Sequence, residues 1–307
     1  MKIALLGSGQ LALSVAWGIC HLELAQKVFF FTNTQSSGKH GNRSSRNSRP
    51  VADGVEDLTL ATAMSASDTA VSFTDSGEEL SDSDVVVLLP ASVPFGFHSA
   101  QALKTTNLSI ARQVVPKVLE RTQNAKILVA MPFANYISAW IHQIHGANNV
   151  IGIANGVSTA HLKSEIATRL GLSVKDVSAL AIGNDEVTYP LPQYCRVNGI
   201  PLTQLMDESD IESLSEAVAE RCPYTSASEW TLASHILQVL SAISLDKKRV
   251  MSVGTRISTD TTSVFLNVPS KIGSDGIEQI IPFELTNPQR EQFTQLVAQS
   301  AASQNFS

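Results

Sequence analysis

The sequence predicts an α/β protein with a doubly wound parallel sheet in its first half and an α+β domain in its second half. In the first half, largely apolar runs alternate with helix-like stretches, and these runs lie at residues 2–6, 28–31, 84–89 and 125–130. After about residue 150 the strict alternation ends. Alternation is typical of parallel sheets with helices on both faces, whereas mixed order is typical of α+β domains. We therefore predict two domains, residues 1–149 and 150–307.

The helix-like stretches of the first domain carry apolar residues three to four positions apart. The first of them contains Leu11, Val15, Ile19 and Leu22. A second helix is predicted at residues 101–121 and a further strand at residues 71–73. Residues 34–50 are rich in Ser, Asn, Gly and Arg and have no periodicity, which predicts a surface loop.

The second domain is predicted to mix short strands with helices. The predicted helices lie at residues 158–170, 212–220, 229–245 and 287–303. The predicted strands lie at residues 177–182, 195–197, 250–253 and 264–268. Asn198-Gly199 is a strong signal for a tight hairpin turn, because both residues accept positive φ angles.

Composition and charge exclude several classes of protein. Hydrophobic residues make up 43% of the 307 residues and charged residues 16%, which is typical of a globular protein. A net charge of −6 gives no basic surface for nucleic acid. No apolar run approaches the ~20 residues of a membrane span. The first residues carry no secretory signal pattern, and the three cysteines are odd in number and widely spaced. We therefore expect a cytoplasmic protein without disulfides.

A glycine-rich turn between the first strand and the first helix predicts a dinucleotide site of the Rossmann type. Gly7 permits a tight turn, Gly9 lets the backbone approach a pyrophosphate, and Ala12 allows close packing of helix on strand. The free N–H groups of the helix start then face the phosphates. The predicted contacts of this turn also include Ser8, Gln10 and Leu11. The alternative is a turn kept only for packing.

The residues after the second strand favour NADP over NAD. Thr32 and Asn33 stand where an acidic residue normally accepts the ribose hydroxyls of NAD, and no acid occurs before Asp53. Hydroxyl, amide and basic side chains suit a 2′-phosphate instead. The predicted contacts are Thr32, Asn33, Thr34, Ser37 and Lys39, and Pro90 and Met131 complete the predicted cofactor-binding set. A solvated basic loop with NAD as cofactor is the alternative.

Several collinear segments resemble the lactate/malate dehydrogenase family. They are residues 81–88, 107–116, 150–161, 177–183, 197–202 and 264–269. The resemblance spans nearly the whole chain. It implies a Rossmann-type domain, an α+β substrate domain of the same type, and a homodimer or homotetramer paired in part through the helix near Ser158.

The residues that carry catalysis in this family are absent from the matching positions. The turn of the family's proton-transferring histidine reads Asn184-Asp185-Glu186 here, with no histidine. The aspartate that orients this histidine falls on Ser158, and the arginine that binds the substrate carboxylate falls on His161. No arginine occurs between residues 90 and 103, where the family has the one that polarises the carbonyl. Oxidation of lactate or malate is therefore not expected.

The remaining polar residues of the predicted pocket are our catalytic candidates. His161 is the first candidate for an acid or base, because imidazole titrates near neutral pH. Asp185 and Glu186 would accept a proton, although two adjacent acids in a turn are also typical of a solvated loop. Ser158 and Ser228 complete the set. The histidines show no metal-ligand spacing with a third ligand, so no metal is expected.

Two functions follow from this pattern. The first is an NAD(P)-dependent oxidoreductase of the lactate/malate dehydrogenase type that acts on a non-standard carbonyl or imine substrate, apolar or cationic, but not on pyruvate or oxaloacetate. The second is a catalytically inactive subunit that kept the fold and binds a dinucleotide or serves a structural role.

Overall fold

A computed structural model describes residues 1–7, 9–31, 44–89, 99–122, 124–153, 156–220, 229–258 and 263–306, with only the backbone for 44–53. The helices are α1 (Gln10–His21), α2 (Ser44–Met64), α3 (Ala100–Leu119), α4 (Ala134–His145), α5 (Gly156–Leu170), α6 (Glu208–Ala219), α7 (Glu229–Ser244) and α8 (Asn287–Ser303). None of the described helices is long and apolar enough to cross a membrane.

The strands fall into two sets. The first set is β1 (Lys2–Leu6), β2 (Lys27–Phe31), β3 (Ala70–Thr74), β4 (Val85–Leu88), β5 (Lys126–Val129) and β6 (Val150–Gly152). The second set is β7 (Val177–Ser178), β8 (Ala181–Gly183), β9 (Thr188–Pro190), β10 (Arg196–Val197), β11 (Ile200–Pro201), β12 (Arg249–Ser258), β13 (Ser263–Gly273) and β14 (Gly276–Ile280).

The first six strands form a parallel sheet in the order β3-β2-β1-β4-β5-β6. The order reverses between β1 and β4, and a reversal of this kind opens a ligand-binding crevice at the carboxyl ends of the strands. The sheet continues through antiparallel strands in the order β12-β13-β8-β9, with β14 beside β13. A small antiparallel sheet in the order β11-β10-β7 lies apart from it. The predicted fold class is confirmed.

Two apolar layers cover the parallel sheet, one on each face. Successive side chains of a strand point to opposite faces, so Ile3 and Leu5 of β1 pack against α1 and α7. Ala4 and Leu6 of the same strand pack against α3 and α4. β1, β2, β4 and β5 are thereby buried on both faces, which is the physical reason for their largely apolar sequences.

The parallel and antiparallel parts of the sheet join where Gly152 of β6 pairs with Gly254 of β12. A Cβ atom added at Gly254 would lie 2.7 Å from the Cα of Gly152 and 2.1 Å from the Oδ1 of Asn135. The close contact between these backbones and α4 therefore requires glycine. β6 begins at Val150, which the predicted boundary assigns to the second domain, so the sheet runs across that boundary. The division into two domains stays a prediction.

Most predicted elements occur, but one prediction is wrong in part and some observed elements were not predicted. The hairpin turn at Asn198-Gly199 is present, with φ angles of 47° and 87°. The surface loop predicted at residues 34–50 is wrong in its last part, because α2 begins at Ser44. A polar helix segment lacks the apolar periodicity on which that prediction depended. The helix α4 was not predicted from the sequence.

Candidate active site

The glycine turn lies between β1 and α1 at the carboxyl edge of the parallel sheet. Gly7 has a φ angle of 141°, a conformation that side-chain-bearing residues rarely adopt. Gly9 caps α1 in an extended conformation without a side-chain hydrogen bond, and the first turn of α1 contains no acid. Ala12 is 1% exposed and packs in the core. The turn therefore presents the positive end of the α1 dipole to the crevice.

Gly7 and Gly9 differ in what the fold requires. The backbone conformation of Gly7 requires glycine. Gly9 has a φ angle of −89°, and a Cβ atom added there would meet no atom of the described residues within 4 Å. The fold therefore accepts a side chain at position 9, and packing does not explain the glycine. An open approach to the start of α1 is what a pyrophosphate needs.

The turn between β8 and β9 holds Asp185 against the start of α4. The backbone N–H of Asn135 donates to Oδ1 of Asp185 at 2.9 Å, and that of Tyr136 donates to Oδ2 at 2.9 Å. Asp185 is 6% exposed. Both carboxylate oxygens are thus engaged by the first turn of the helix. This geometry favours a helix cap over the predicted role in proton transfer, which stays untested.

The helix α4 needs this distant cap because its own N-cap residue is Phe133. Phenylalanine has no side-chain acceptor, and Phe133 adopts a left-handed conformation with a φ angle of 64°. The N–H groups at a helix start have no partner within the helix and need acceptors from elsewhere. Asp185 supplies two of these acceptors from fifty residues away.

Burial raises the pKa of Asp185 to about 6, whereas the two backbone N–H donors and the charge of Lys104 lower it. The desolvation of the charged form is the largest effect. In the folded protein the carboxyl therefore releases its proton at a higher pH than in the unfolded chain.

The other described candidates have contacts or surroundings of their own. Ser158 is 3% exposed, and its Oγ shares a hydrogen bond with the Oγ1 of Thr188 at 3.0 Å. This bond ties α5 to the first residue of β9. His161 lies one turn further along α5 and is half-buried. Glu186 is exposed, and its backbone N–H donates to Oδ1 of Asn184 at 2.9 Å. Met131 is buried just beyond β5.

A cation that sequence reasoning missed lies in the first turns of α3. The Nζ atom of Lys104 is 4.2 Å from the centroid of the Tyr136 ring and 5.7 Å from that of Phe133. These two residues form the start of α4, so Lys104 lies beside the Asp185 cap. Residues 90–103 contain no arginine, and Lys104 follows directly after them. The sequence could have indicated Lys104, because α3 begins at the carboxyl edge of the parallel sheet, where the candidate site lies.

Several predicted residues lie outside the described part of the chain. They are Ser8, Thr32, Asn33, Thr34, Ser37, Lys39, Pro90 and Ser228. Within the described ranges, no group of three His, Cys, Asp or Glu side chains is arranged to hold a metal ion. Cys20 and Cys195 are buried free thiols, and burial raises the pKa of each to about 11.

Comparisons with known proteins agree on one family. The malate dehydrogenase of Chlorobium chlorochromatii is 26% identical over 306 residues, which cover 94% of this chain and 93% of that protein. The malate dehydrogenase of Heliobacterium modesticaldum is 28% identical over 255 residues, which cover 78% and 82%. No family model matches the chain.

Solved structures share the fold. The malate dehydrogenase of Cryptosporidium parvum superposes with a TM-score of 0.85 at 21% identity, over 99% of this chain and 97% of that one. Over nearly its whole length the chain is similar to malate dehydrogenases, which agrees with the resemblance to the lactate/malate dehydrogenase family found in the sequence. The lactate dehydrogenase of Cryptosporidium parvum, solved with lactic acid and β-nicotinamide adenine dinucleotide, superposes with a TM-score of 0.84 at 21% identity, over 99% and 96%.

This similarity supports an oxidoreductase of the lactate/malate dehydrogenase type, and the similar dehydrogenases use nicotinamide dinucleotides. The glycine turn fits such a cofactor, because Gly9 leaves the start of α1 open. Gly7, Gly9, Gln10 and Leu11 are the described residues that would hold its pyrophosphate. The turn that the resemblance matches to the family's proton-transferring turn caps α4 in this chain.

The Asp185 cap yields a prediction about stability. Asp185→Ala leaves the N–H groups of Asn135 and Tyr136 without acceptors, so the free energy of unfolding should fall by about 1–3 kcal/mol at pH 5. Glu186→Ala is the matched control and should change it by less than about 0.5 kcal/mol, since the side chain is exposed. Urea denaturation of both variants measures the difference.

The stability difference between wild type and Asp185→Ala should also depend on pH. Between pH 4 and pH 6 the unfolded chain releases the Asp185 proton while the folded protein retains it, so the unfolded state binds fewer protons. The advantage of wild type over Asp185→Ala should therefore be largest below pH 4, fall as the pH rises to 6, and then stay constant. An advantage that grows with pH over this range would contradict the assignment.

Proposed function

We propose that this chain is a nicotinamide-dinucleotide-dependent oxidoreductase that reduces a non-standard carbonyl or imine compound rather than pyruvate or oxaloacetate. The open approach at Gly9 carries the cofactor part of the proposal, because the fold itself does not require glycine there. When bound, the nicotinamide supplies the hydride, so the protein needs only to orient the substrate and provide a proton.

The relatives are named malate dehydrogenases. We nevertheless propose a substrate other than a 2-oxo acid, because the arginines and the histidine that would act on such a substrate are missing. An arginine fork binds a carboxylate through two parallel hydrogen bonds, and His161 cannot form that fork. Asp185 cannot replace an imidazolium as the electrophile, because its carboxylate has the wrong charge for a developing alkoxide.

Lys104 defines the charge of the proposed substrate more closely. It brings a positive charge to the edge of the sheet where β4 and β5 end, beside Phe133 and Tyr136. A neutral substrate, or one with a single anionic group, fits this environment better than a cationic one. A lysine ammonium acts as a point charge without the planar fork of arginine, so we expect a substrate other than a 2-oxo dicarboxylate. His161 remains the proposed acid or base.

The second candidate is an inactive dinucleotide-binding or structural subunit. The observation that favours it is the engagement of both Asp185 oxygens and of the Ser158 hydroxyl within the protein. A screen of aldehydes, ketones and imines with NADPH and NADH separates the two candidates. Turnover that His161→Ala abolishes, with NADPH affinity unchanged, supports an enzyme.

For the cofactor, we predict tighter binding of NADPH than of NADH, because Thr32, Asn33, Lys39 and neighbouring arginines suit a 2′-phosphate. Gly9→Ser should leave the free energy of unfolding nearly unchanged, since serine is at least as good an N-cap as glycine. The same variant should weaken NADPH binding by about tenfold or more, which corresponds to about 1.4 kcal/mol. Fluorescence titration measures both nucleotides, and equal affinities or a preference for NADH would contradict the NADP assignment.

For activity, pyruvate and oxaloacetate should be reduced far more slowly than about 1 s⁻¹, the lower edge of ordinary turnover numbers. Absorbance of NADPH and NADH at 340 nm follows both reactions, with a lactate/malate dehydrogenase of known activity as the positive control. Ordinary turnover of either substrate would show that the assignment of the catalytic positions is wrong.

For assembly, we predict a homodimer or homotetramer. Trp17 of α1 is 39% exposed, Met64 of α2 is 89% exposed and Trp230 of α7 is 70% exposed. These three helices pack together, since α1 contacts both α2 and α7. Large exposed apolar side chains on adjoining helices are typical of subunit interfaces.

Light scattering at micromolar concentration tests this prediction. Trp230→Glu should shift the mass toward the monomer, because it would place a charge in an apolar interface. Ile280→Glu on β14 is the control and should leave the mass unchanged. A monomeric wild-type protein would exclude the proposed assembly.

A further inference from the structure

A groove of about 940 Å³ lies between α6, the strand β9 and the start of α8. One wall is formed by α6 over almost its whole length, from its cap Asp207 to Ala219. The other wall is formed by residues 189–192 together with Gln289 and Gln292. None of the described residues that line the groove belongs to the glycine turn or to the catalytic candidates. The groove is therefore separate from the candidate active site.

Two rows of side chains on α6 line this groove. Residues four positions apart in a helix lie above one another on the same side. The first row is Glu208, Glu212 and Glu216. The second row, three positions further along the chain, is Ile211, Ser215 and Ala219. All three glutamates are exposed. The wall on α6 therefore has an acidic edge beside a strip of small and apolar side chains.

The rest of the lining contributes apolar surface and no positive charge. Tyr189, Pro190 and Pro192 are half-buried on the far wall, and Met206 and Ile211 are half-buried on the near side. Within the described lining there is no lysine, arginine or histidine. Apolar surface of this kind, bordered by charged side chains and open to solvent, is typical of protein interaction sites.

The stability of α6 does not explain the acidic row. Like charges four residues apart destabilise a helix. Glu216 lies in the last turn, where the helix dipole favours cations, and α6 has no basic residue there. The helix start is already capped by Asp207, whose Oδ1 accepts the N–H of Asp210 at 2.9 Å. Among the described residues no cation forms an ion pair with Glu208, Glu212 or Glu216. A positively charged partner would compensate the cost of this row.

The shape of the groove favours a helical partner over an extended one. β9 is the last strand of its sheet, so its outer edge is open to an added strand. Pro190 and Pro192 lie along this part of the chain, and proline has no N–H to donate to a neighbouring strand. The acidic row, in contrast, is straight and extends over about 12 Å, which equals just over two turns of a helix.

We propose that this groove binds an amphipathic helix of another protein, with lysine or arginine along one edge of its apolar face. The apolar side chains of the partner pack on Ile211, Met206 and Tyr189. Its cations, one helical turn apart, pair with the acidic row of α6. This is the helix-in-groove mode of recognition, in which apolar anchors supply affinity and complementary charges supply orientation.

Fluorescence anisotropy of the full chain with a labelled synthetic peptide tests this proposal. The peptide forms about four helical turns, with leucine on one face and lysine at four-residue spacing along its edge. One control peptide has glutamate in place of lysine, and a second has the same composition in scrambled order. Circular dichroism establishes the helicity of the peptides.

The protein variants separate the acidic row from general negative charge. They are Glu212→Gln and the double charge reversal Glu212→Lys with Glu216→Lys. Asp210→Asn is the matched control, since Asp210 is exposed on the same helix but does not line the groove. Thermal unfolding of each variant establishes that it is folded.

Saturable binding of the lysine peptide is the expected result, with at least about tenfold weaker binding of both control peptides. Glu212→Gln should weaken this binding by about threefold and Asp210→Asn by less than about 1.5-fold, because only the first carboxylate forms an exposed ion pair with the peptide. The double charge reversal should abolish binding of the lysine peptide and create binding of the glutamate peptide, an exchange that requires direct pairing.

Four results would overturn the proposal. The first is the absence of saturable binding of the lysine peptide. The second is equal binding of the scrambled peptide, which would show attraction between charges alone. The third is an equal effect of Glu212→Gln and Asp210→Asn on the affinity. The fourth is a dimer in light scattering that the double charge reversal converts to a monomer, since a second copy of the chain would then occupy the groove.

Discussion

The double hydrogen bond from the start of α4 to Asp185 fixes how the two parts of this molecule meet. The helix α4 follows β5 and belongs to the parallel sheet, whereas Asp185 lies in the turn of the antiparallel β8–β9 hairpin. Two N–H groups at a buried helix start would otherwise lack acceptors, and Phe133 cannot provide one. The interaction therefore holds the hairpin at the carboxyl edge of the parallel sheet, where the glycine turn also lies.

This constraint decides which chemistry remains at that edge. A carboxylate that accepts two backbone N–H groups at 2.9 Å has limited freedom to turn toward a substrate. The Ser158 hydroxyl is similarly committed to Thr188, which begins the strand after the same turn. Positive charge is supplied instead by Lys104, which the rings of Phe133 and Tyr136 hold in place. The described part of the candidate site is thus built around a fixed acid and a cation.

Local sequence predicted the elements whose stabilising contacts are local. The bounds of α8 agree with the prediction because Thr286 and Gln289 form a capping box three residues apart. The turn at Asn198-Gly199 follows from the backbone preferences of those two residues alone. The N-terminal cap of α4 instead comes from Asp185, fifty positions after Asn135. No sequence pattern between residues 131 and 145 predicts this cap. The sequence of Asp185 and Glu186 alone indicates a solvated turn, because the partner of Asp185 is distant in sequence. In the structure Asp185 is buried and Glu186 is exposed.

Gly7 and Gly254 are required by the fold, whereas Gly9 is explained better by the approach of a ligand. Gly7 requires glycine by its φ angle, and Gly254 requires it by the contact of its backbone with Gly152 and Asn135. Either would be kept in a protein that had lost its cofactor. Gly9 has neither requirement, and glycine at a helix start costs conformational entropy that serine or aspartate would avoid. A residue that the fold does not need, at the place where a pyrophosphate would approach the backbone, is the strongest physical argument that this chain still binds a dinucleotide.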